Sequence, residues 1–381
     1  MELNEIVNIV SGYAFPSSDM QAEGVPILKI TNILENGELD LENTIKYSKP
    51  IPEKLRKFLL RDKDVLVCMT GATIGKVARK QKVKQDFLIN QRVAIIRAKE
   101  KLLEDFVYYL LSLPAFRKYV EIVGYGAAQP NISAKSIGKF RFLSVGNFYK
   151  CQSIGTILSA YDSLIENNTK RIRLLEKMAE NLYKEWFVRF RFPEYEKAEM
   201  ENGLPKGWKH GSLSDICEFK RGKNITASEM IAGNVPVISA GIEPSGFHNK
   251  ANVKGVSITM SSSGANAGYI AIHYSDIWAA DCSFINETMT SYICYVYELL
   301  NNIRGVITNF QRGAAQPHVY PKDINRIKLI IPSERLRALA DERLSVIHKQ
   351  IDNLAKQNTL LARRRDLLLP RLMSGKLEVK P

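Results

Sequence analysis

The sequence predicts an α+β chain in which two globular modules, each with a mainly antiparallel sheet, are separated by two long helices. Three observations support this prediction. Segment 154–190 carries apolar residues in a four-three rhythm, segment 344–377 repeats that rhythm, and the sequence before each segment is itself repeated. The order module, helix, module, helix predicts that the two helices pair as an antiparallel coiled coil with pseudo-twofold symmetry.

Each long segment has a continuous apolar seam. The first seam is Ile154, Leu158, Tyr161, Ile165, Ile172, Leu175, Ala179, Leu182 and Trp186. The second is Leu344, Ile347, Ile351, Leu354, Leu361, Leu368 and Leu372. At 1.5 Å per residue the first helix would be about 50 Å long.

An asparagine interrupts both seams at matching positions, Asn168 and Asn358. A lone asparagine on a seam is often only a tolerated polar spot. Two at matching positions are better explained as a device that fixes the register, because a buried asparagine costs stability unless it meets another one. We therefore predict that Asn168 and Asn358 lie near the crossing of the two helices.

The globular modules are repeated as clearly as the helices. LNEIVNIVSGYAFPSSDM at 3–20 and LSDICEFKRGKNITASEM at 213–230 align at an offset of 210 positions. MTGATIGKVA at 69–78 and SSGANAGYIA at 262–271 align at 193, and GAAQP recurs at 187. The second copy is thus 23 residues shorter, net, between its start and GAAQP. Divergence inside a constant frame predicts one scaffold carrying different recognition surfaces.

These repeats set the domain boundaries. We assign a first module to 1–150, a central helix to 151–192, a linker to 193–208, a second module to 209–332 and a C-terminal helix to 333–381. The linker is charged and ends in a Pro-Lys-Gly turn sequence. Within the modules, PILKIT, DVLVCM, AIIRA and KFRFLSV predict short strands, and 104–123, broken at Pro114, predicts helix.

Charge is the strongest compositional signal. The net charge of +14 favours a polyanionic partner, and we expect nucleic acid. No apolar run reaches the length of a membrane span, and the N-terminus lacks a secretory pattern. Five cysteines and five histidines show no ligand spacing, so we predict no metal site and no disulfide framework, as suits a reducing cytoplasm.

Basic, amide and hydroxyl side chains are the candidates for contact with DNA. Lysine and arginine bind phosphates, whereas arginine, asparagine and glutamine also read base edges. The first-module candidates are Lys29, Thr31, Lys76, Arg79, Lys80, Asn90, Gln91 and Arg92. The second-module candidates are Lys220, Arg221, Lys223, Asn224, Asn266, Tyr269 and Arg312. A solvated basic face is the competing interpretation for any single lysine.

Other motifs favour structure over chemistry. TGATIG and SGANAG lack the Gly-Lys-Ser/Thr of a phosphate loop and precede strand-like residues, so they predict a β-hairpin or a close backbone approach. GAAQP predicts a tight turn that closes the sheet before each helix, with a phosphate contact as the alternative. The sequence has no Asn/Asp-Pro-Pro-aromatic tetrapeptide for methylating an amine and no recognisable nuclease cluster, so we predict no catalytic residues.

GYAFPS, CMTGATIGK, INQR, the duplicated GAAQP, LPKGW and the closing LLPRLMSGKL occur together in this chain. This combination resembles the specificity (S) subunit of Type I restriction–modification systems over essentially the whole sequence. The resemblance implies that each module is a target-recognition domain reading one half of a split DNA target, with the coiled coil setting the spacing. One departure is that the sequence begins almost at the first module, so an N-terminal helix ahead of it would be short or absent.

The same resemblance implies partners. Two modification subunits would dock on the chain and methylate adenine with S-adenosylmethionine, and restriction subunits would use ATP and Mg²⁺ for translocation and cleavage. The chain itself would bind no cofactor and catalyse no reaction. We predict that apolar residues at the helix surfaces contact the modification subunits, namely Met178, Trp186, Phe187, Leu367 and Leu369.

Two other functions compete with this interpretation. One is the recognition half of a fused restriction–methylation enzyme, against which the missing catalytic motifs argue. The other is a basic RNA-binding adaptor, which salt-sensitive binding to duplex DNA of one defined split sequence would distinguish.

Overall fold

The computed structural model describes residues 1–34, 37–48, 50–80, 82–125, 130–143, 147–313 and 317–379. The chain divides into two compact units. Unit 1 comprises Met1–Glu166 and Asn358–Pro381, and unit 2 comprises Asn167–Gln357. Each unit therefore contains one repeated module together with one part of each long helix.

The described residues of unit 1 form two four-stranded sheets and three short α-helices. The strands are β1 (Val7–Ser11), β2 (Met20–Gln21), β3 (Val25–Leu28), β4 (Ile45–Tyr47), β5 (Val65–Cys68), β6 (Val77–Arg79), β7 (Leu88–Ile89) and β8 (Val93–Ala98). The helices are α1 (Glu104–Leu111), α2 (Pro114–Gly124) and α3 (Ala134–Gly138), followed by the long helix α4 (Phe148–Tyr183). One sheet is antiparallel with the order β1-β8-β5-β6, and the other has the order β2-β4-β3-β7, in which β3 and β7 run parallel.

Strand β5 shows why the first sheet forms. Val65 and Val67 face the core that α1 and α2 cover, whereas Leu66 and Cys68 face a second apolar cluster on the other side. All four side chains are buried. A strand covered on both faces is expected to be continuously apolar, which accounts for the run VLVC.

Unit 2 repeats this plan with a smaller second sheet. Its strands are β9 (Met200–Glu201), β10 (Leu204–Pro205), β11 (Lys209–Ser212), β12 (Lys220–Arg221), β13 (Val235–Ile238), β14 (Gly246–His248), β15 (Ser257–Ser261), β16 (Ile270–His273), β17 (Trp278–Ala279), β18 (Cys282–Asn286) and β19 (Lys328–Ile331). Its helices are α5 (Ile293–Asn302), α6 (Arg304–Thr308), α7 (Pro321–Asn325) and the long α8 (Glu334–Met373). The two main sheets have the orders β12-β18-β15-β16 and β14-β13-β17.

The register of the strands matches between the units. Val65 pairs with Ile96 and Arg79 in unit 1, and Ile258 pairs with Ile285 and Ile272 in unit 2. In both units the second sheet contains one parallel pair, β3–β7 or β13–β17. The predicted duplication and the predicted α+β class with mainly antiparallel sheets are therefore confirmed.

The long helices follow the predicted seams. In unit 1, Ile154 and Leu158 share a core with Leu372, while Asp162 pairs with Arg365, so the contacts run in opposite directions along the two helices. Helix α4 begins at Phe148, three residues before the predicted start. A π-helical turn, Lys184–Val188, follows α4 directly.

Two segments differ from their predicted form. The predicted linker 193–208 includes the β9–β10 hairpin, and its residues Leu204 and Trp208 are buried in the core of unit 2. The strand predicted after GAAQP exists in the second copy as β19, paired with β11. In the first copy, the described residues make only the isolated bridge between Arg141 and Glu2.

All five cysteines are buried and free of disulfides. Across the described ranges, no helix is both long and apolar enough for a bilayer span, and no cluster of three or more His, Cys, Asp or Glu side chains is suited to a metal ion.

Candidate nucleic-acid interface

In unit 1, polar residues follow the ends of the two parallel strands. Lys29 comes directly after β3 and Thr31 two residues later, and Asn90 comes directly after β7. The Asn90 backbone N–H donates to the Leu28 carbonyl oxygen at 3.0 Å, which holds the two strand ends together. Because both strands run in the same direction, the residues that follow them lie at the same edge of the sheet.

Gly12 brings a second segment against this edge. A Cβ atom on Gly12 would lie 2.2 Å from the Asn90 carbonyl oxygen, so only glycine fits. The neighbouring Tyr13 N–H donates to Ile89 at 2.8 Å, and the Gln91 N–H donates to Tyr13 at 2.9 Å. These bonds fix the loop 90–92 at its base, and the Gln91 and Arg92 side chains are exposed.

Unit 2 builds the same edge from a different sequence. A Cβ atom on Gly222 would lie 2.5 Å from the Ala279 carbonyl oxygen, and the Lys223 N–H donates to that oxygen at 2.9 Å. The exposed side chains beside Gly222 are Lys220, Arg221, Lys223 and Asn224. Among the described residues, no carboxylate lies within ion-pair distance of these three cations, so they can neutralise phosphates.

The glycine-rich motifs form the predicted hairpin turns. Gly71 and Gly264 adopt φ angles of 73° and 76°, in the left-handed region that favours glycine. Their N–H groups donate to the carbonyl oxygens of Pro130 and Pro317, each at 3.0 Å. The last residue of each GAAQP motif therefore contacts a hairpin turn, whereas residues 126–129 and 314–316 lie outside the described part of the chain.

Arg79, which the sequence predicted to contact DNA, has a buried side chain. Its side chain is 3% exposed, donates to Asp105 at 2.7 Å and stacks 4.0 Å from the centre of the Tyr108 ring. The guanidinium lies 3.9 Å from Asp162 on α4. Arg79 therefore joins the sheet of unit 1 to its helices.

A network of polar residues surrounds Arg79, and the sequence alone did not indicate it. Asp162 accepts hydrogen bonds from the Tyr109 hydroxyl and from Arg365, the latter at 2.5 Å. Burial, reinforced by the Asp162 charge, raises the pKa of Tyr109 well above its usual value, so the phenol stays protonated and donates. Lys63 completes the network at 2.8 Å from Asp105.

The remaining predicted contacts occupy mixed environments. Lys76, Lys80, Asn266 and Tyr269 are half-buried, and the Tyr269 ring lies 5.3 Å from the Arg304 guanidinium. Arg312 is exposed but forms an ion pair with Asp323 at 2.9 Å. The strand-end residues and the residues beside Gly222 therefore form the most accessible parts of the candidate surface.

Trp186 and Phe187, which were predicted to contact a partner, are both buried inside unit 2. The Phe187 ring packs 5.0 Å from Tyr295, and the Arg343 guanidinium covers Trp186 at 5.1 Å. Met178 and Leu367 are exposed at 55% and 57%, as a docking surface would need. Leu369 is half-buried against the core of unit 1.

Asn168 is buried on α4, as the register prediction requires of a seam residue. Its amide donates to the Gln357 side-chain oxygen on α8 at 3.4 Å, within unit 2. Asn358 belongs to unit 1, so the pairing of the two asparagines stays a prediction.

Sequence reasoning also missed Asp281 in the β17–β18 loop. Asp281 accepts a hydrogen bond from Ser263 at 2.6 Å. The repeat could have indicated Asp281, because its loop aligns with Asn90–Arg92 of unit 1. An acidic residue thus stands where the first copy has basic and amide residues.

Comparisons with known proteins agree with the duplicated plan. A family model described as the Type I restriction modification DNA specificity domain matches residues 1–177 and 205–363. The chain is 26% identical over 347 residues to the Type I restriction enzyme MjaIX specificity subunit of Methanocaldococcus jannaschii, covering 84% of this chain and 78% of that protein. It is 23% identical over 415 residues to the putative MjaX specificity subunit of the same organism, covering 100% and 93%.

A solved structure has the same fold. The crystal structure of the Type-I restriction-modification system S subunit from M. genitalium superposes with a TM-score of 0.63 at 19% identity, covering 98% of this chain and 95% of that one.

Proposed function

This chain belongs to the Type I restriction–modification DNA specificity family, and from that membership we propose that it directs its complex to one two-part DNA sequence. One observation carries the proposal: the same scaffold occurs twice, and each copy presents polar side chains at the same edge. Equivalent scaffolds with different edge residues suit two different half-sites of one duplex.

Electrostatics supports DNA as the ligand. The net charge of +14 and the accessible cations Arg92, Lys220, Arg221 and Lys223 favour phosphate contact and counterion release. Amide side chains at the same edge, Asn90, Gln91 and Asn224, match the donor and acceptor pattern of base edges. We propose that the cations position the duplex and the amides contribute to reading it.

The long helices would set the distance between the two half-sites. Residues of α4 and of α8 belong to both units, and a stiff helix pair fixes a distance better than a flexible linker does. Asn168 and Asn358 would fix the register of that pair.

Chemistry would come from partners. Two modification subunits with S-adenosylmethionine would methylate the bound DNA, and restriction subunits would supply ATP- and Mg²⁺-dependent cleavage, with the complex acting in the cytoplasm. Because Met178 and Leu367 are exposed, Met178→Glu and Leu367→Glu should each reduce co-purification of the modification subunit. Full recovery of the complex from both variants would exclude this surface.

Methylome sequencing of the host with and without this chain tests the function. We expect one methylated motif, made of two specified parts around an unspecified gap, to disappear on deletion. Identical methylated motifs in the two strains would contradict the proposal. The methylated strain also supplies the target sequence for binding measurements on the purified complex.

A further inference from the structure

The β17–β18 loop of unit 2 places a carboxylate where unit 1 has a basic, amide-rich loop. In unit 1, Ile89 and Val93 enclose Asn90-Gln91-Arg92. In unit 2, Ala279 and Cys282 enclose only Ala280-Asp281. The loops are structurally equivalent, since the Asn90 and Ala280 N–H groups donate to Leu28 and Ile238 at 3.0 and 2.8 Å.

A hydrogen bond fixes one oxygen of the Asp281 carboxylate. Its Oδ2 atom accepts a hydrogen bond from the Ser263 hydroxyl at 2.6 Å, and Ser263 is buried at the start of the hairpin turn. The hydrogen bonds of the described residues leave Oδ1 without a donor. One carboxylate oxygen is thus anchored, and the other remains available to accept a hydrogen bond.

The surroundings of Asp281 are basic. Arg221 on β12 pairs with Ser283, two residues beyond Asp281, and Lys223 donates its N–H to Ala279, two residues before it. Neither cation forms an ion pair with Asp281 in the described structure. An anion beside basic residues proposed to bind phosphates is unfavourable unless it meets a hydrogen-bond donor on the DNA.

Only two bases offer such a donor in the major groove. Adenine presents its N6 amino group and cytosine its N4 amino group, whereas guanine and thymine present acceptors and, in thymine, a methyl group. A carboxylate therefore accepts from adenine or cytosine and repels the oxygens of guanine and thymine. The aligned loop of unit 1 lacks a carboxylate: its Arg92 can donate to guanine, and its Gln91 amide can pair with adenine.

We propose that Asp281, positioned by Ser263, specifies a base with an exocyclic amino group at one position of the half-site read by unit 2. The proposal rests on the function proposed above. It makes Asp281 a specificity-determining residue and Ser263 a positioning residue.

The first test uses the unmodified chain in its purified complex. Duplexes carry purine in place of each adenine, or 2-pyrimidinone in place of each cytosine, one position at a time in the unit 2 half-site. Each replacement removes one exocyclic amine. We expect one replacement to weaken binding by about tenfold to a hundredfold. Equal binding to every analogue duplex would overturn the proposal without any variant being made.

The second test uses variants. Asp281→Asn keeps an oxygen that can accept from Ser263 but turns the free acceptor into a donor, so one position of the methylated motif should relax or change. The other positions and the half-site read by unit 1 should stay as they are. Ser263→Ala should weaken the same discrimination less, and exposed Glu243→Gln serves as the matched control with an unchanged motif.

The outcomes separate the two proposals. If the unmodified complex shows no two-part target, the proposed function fails. If it shows a two-part target and the complex carrying Asp281→Asn methylates the identical motif, the proposed function stands and the assignment of Asp281 is wrong. Change at a position in the half-site of unit 1 would likewise overturn the assignment.

Discussion

Units 1 and 2 share strand order and register but differ in the side chains at matching positions. Asp64 and Arg97 form a bidentate ion pair in unit 1, with Arg97 donating at 2.7 and 2.5 Å, and Asp64 is 2% exposed. Ser257 and Asn286 occupy the same positions in unit 2. The buried cation Arg79 is matched by Ile272. The two units therefore keep the same backbone pairing while the side chains that interact across it differ.

The second face of the main sheet differs even more. In unit 1 this face carries Leu66 and Cys68 inside an apolar cluster. In unit 2 the matching residues are Thr259 and Ser261, and the apolar cluster there is smaller. The backbone ladder and the core beneath α1–α2 or α5–α6 thus define the scaffold, and the outer face is free to diverge.

Truncating Leu66 should lower the free energy of unfolding more than any other substitution proposed below. Leu66 is fully buried, so Leu66→Ala should lower the free energy of unfolding of unit 1 by about 4 kcal/mol. The matched change Thr259→Ala should cost about 1 kcal/mol, since it mainly removes a hydrogen bond to His273. Hydrogen exchange measured by mass spectrometry would localise each loss to its unit. Equal losses would mean that the two outer faces contribute alike.

Replacing Arg79 by the residue of unit 2 tests the ion network. Arg79→Ile leaves Asp105 and Asp162 with one cation fewer, and we expect a loss of about 3 kcal/mol because Lys63 and Arg365 still pair with them. Exposed Arg92→Ala is the matched control and should leave stability unchanged while weakening DNA binding.

The three tryptophans, Trp186, Trp208 and Trp278, all lie in unit 2, so tryptophan fluorescence measures the stability of unit 2 separately.

Acid should weaken unit 2 through His273. Burial lowers the pKa of His273 from 6.5 to about 4. Below pH 6.5 the unfolded chain therefore takes up a proton that the folded one does not, so the stabilisation present at neutral pH is lost as the pH falls towards 4. The loss should be about 2 kcal/mol, reduced by the partial exposure of the ring.

Urea titrations followed by tryptophan fluorescence at pH 7 and 4.5 would measure this loss. His273→Asn keeps a neutral group beside Thr259 and should flatten the difference between the two pH values. A pH dependence identical in the variant would assign the acid sensitivity to other groups.

The regular parts of the fold were predictable from sequence because their periods are local. Heptad spacing identified α4 and α8, and the repeat located the hairpins at Gly71 and Gly264. The burial of Arg79 was not predictable because Asp105 and Asp162, which pair with it, lie on distant elements. The burial of Phe187 was not predictable from the helical period, because Tyr295, which packs against it, lies on a distant element.

The candidate surface was predictable in outline and not in its details. The basic and amide residues near the strand ends were visible in the sequence, whereas Asp281 gains meaning only when its loop is aligned with Asn90–Arg92 by the backbone hydrogen bonds. Base reading depends on which side chain each loop presents, and loop lengths differ between the copies.

We propose that two copies of one scaffold read two half-sites at a distance set by α4 and α8. Inserting one heptad into each helix lengthens the pair by about 10 Å, which corresponds to about three base pairs of duplex. Methylome sequencing of a host carrying this variant should show the unspecified gap lengthened while both specified parts stay the same. An unchanged gap, or a change in either specified part, would contradict the account.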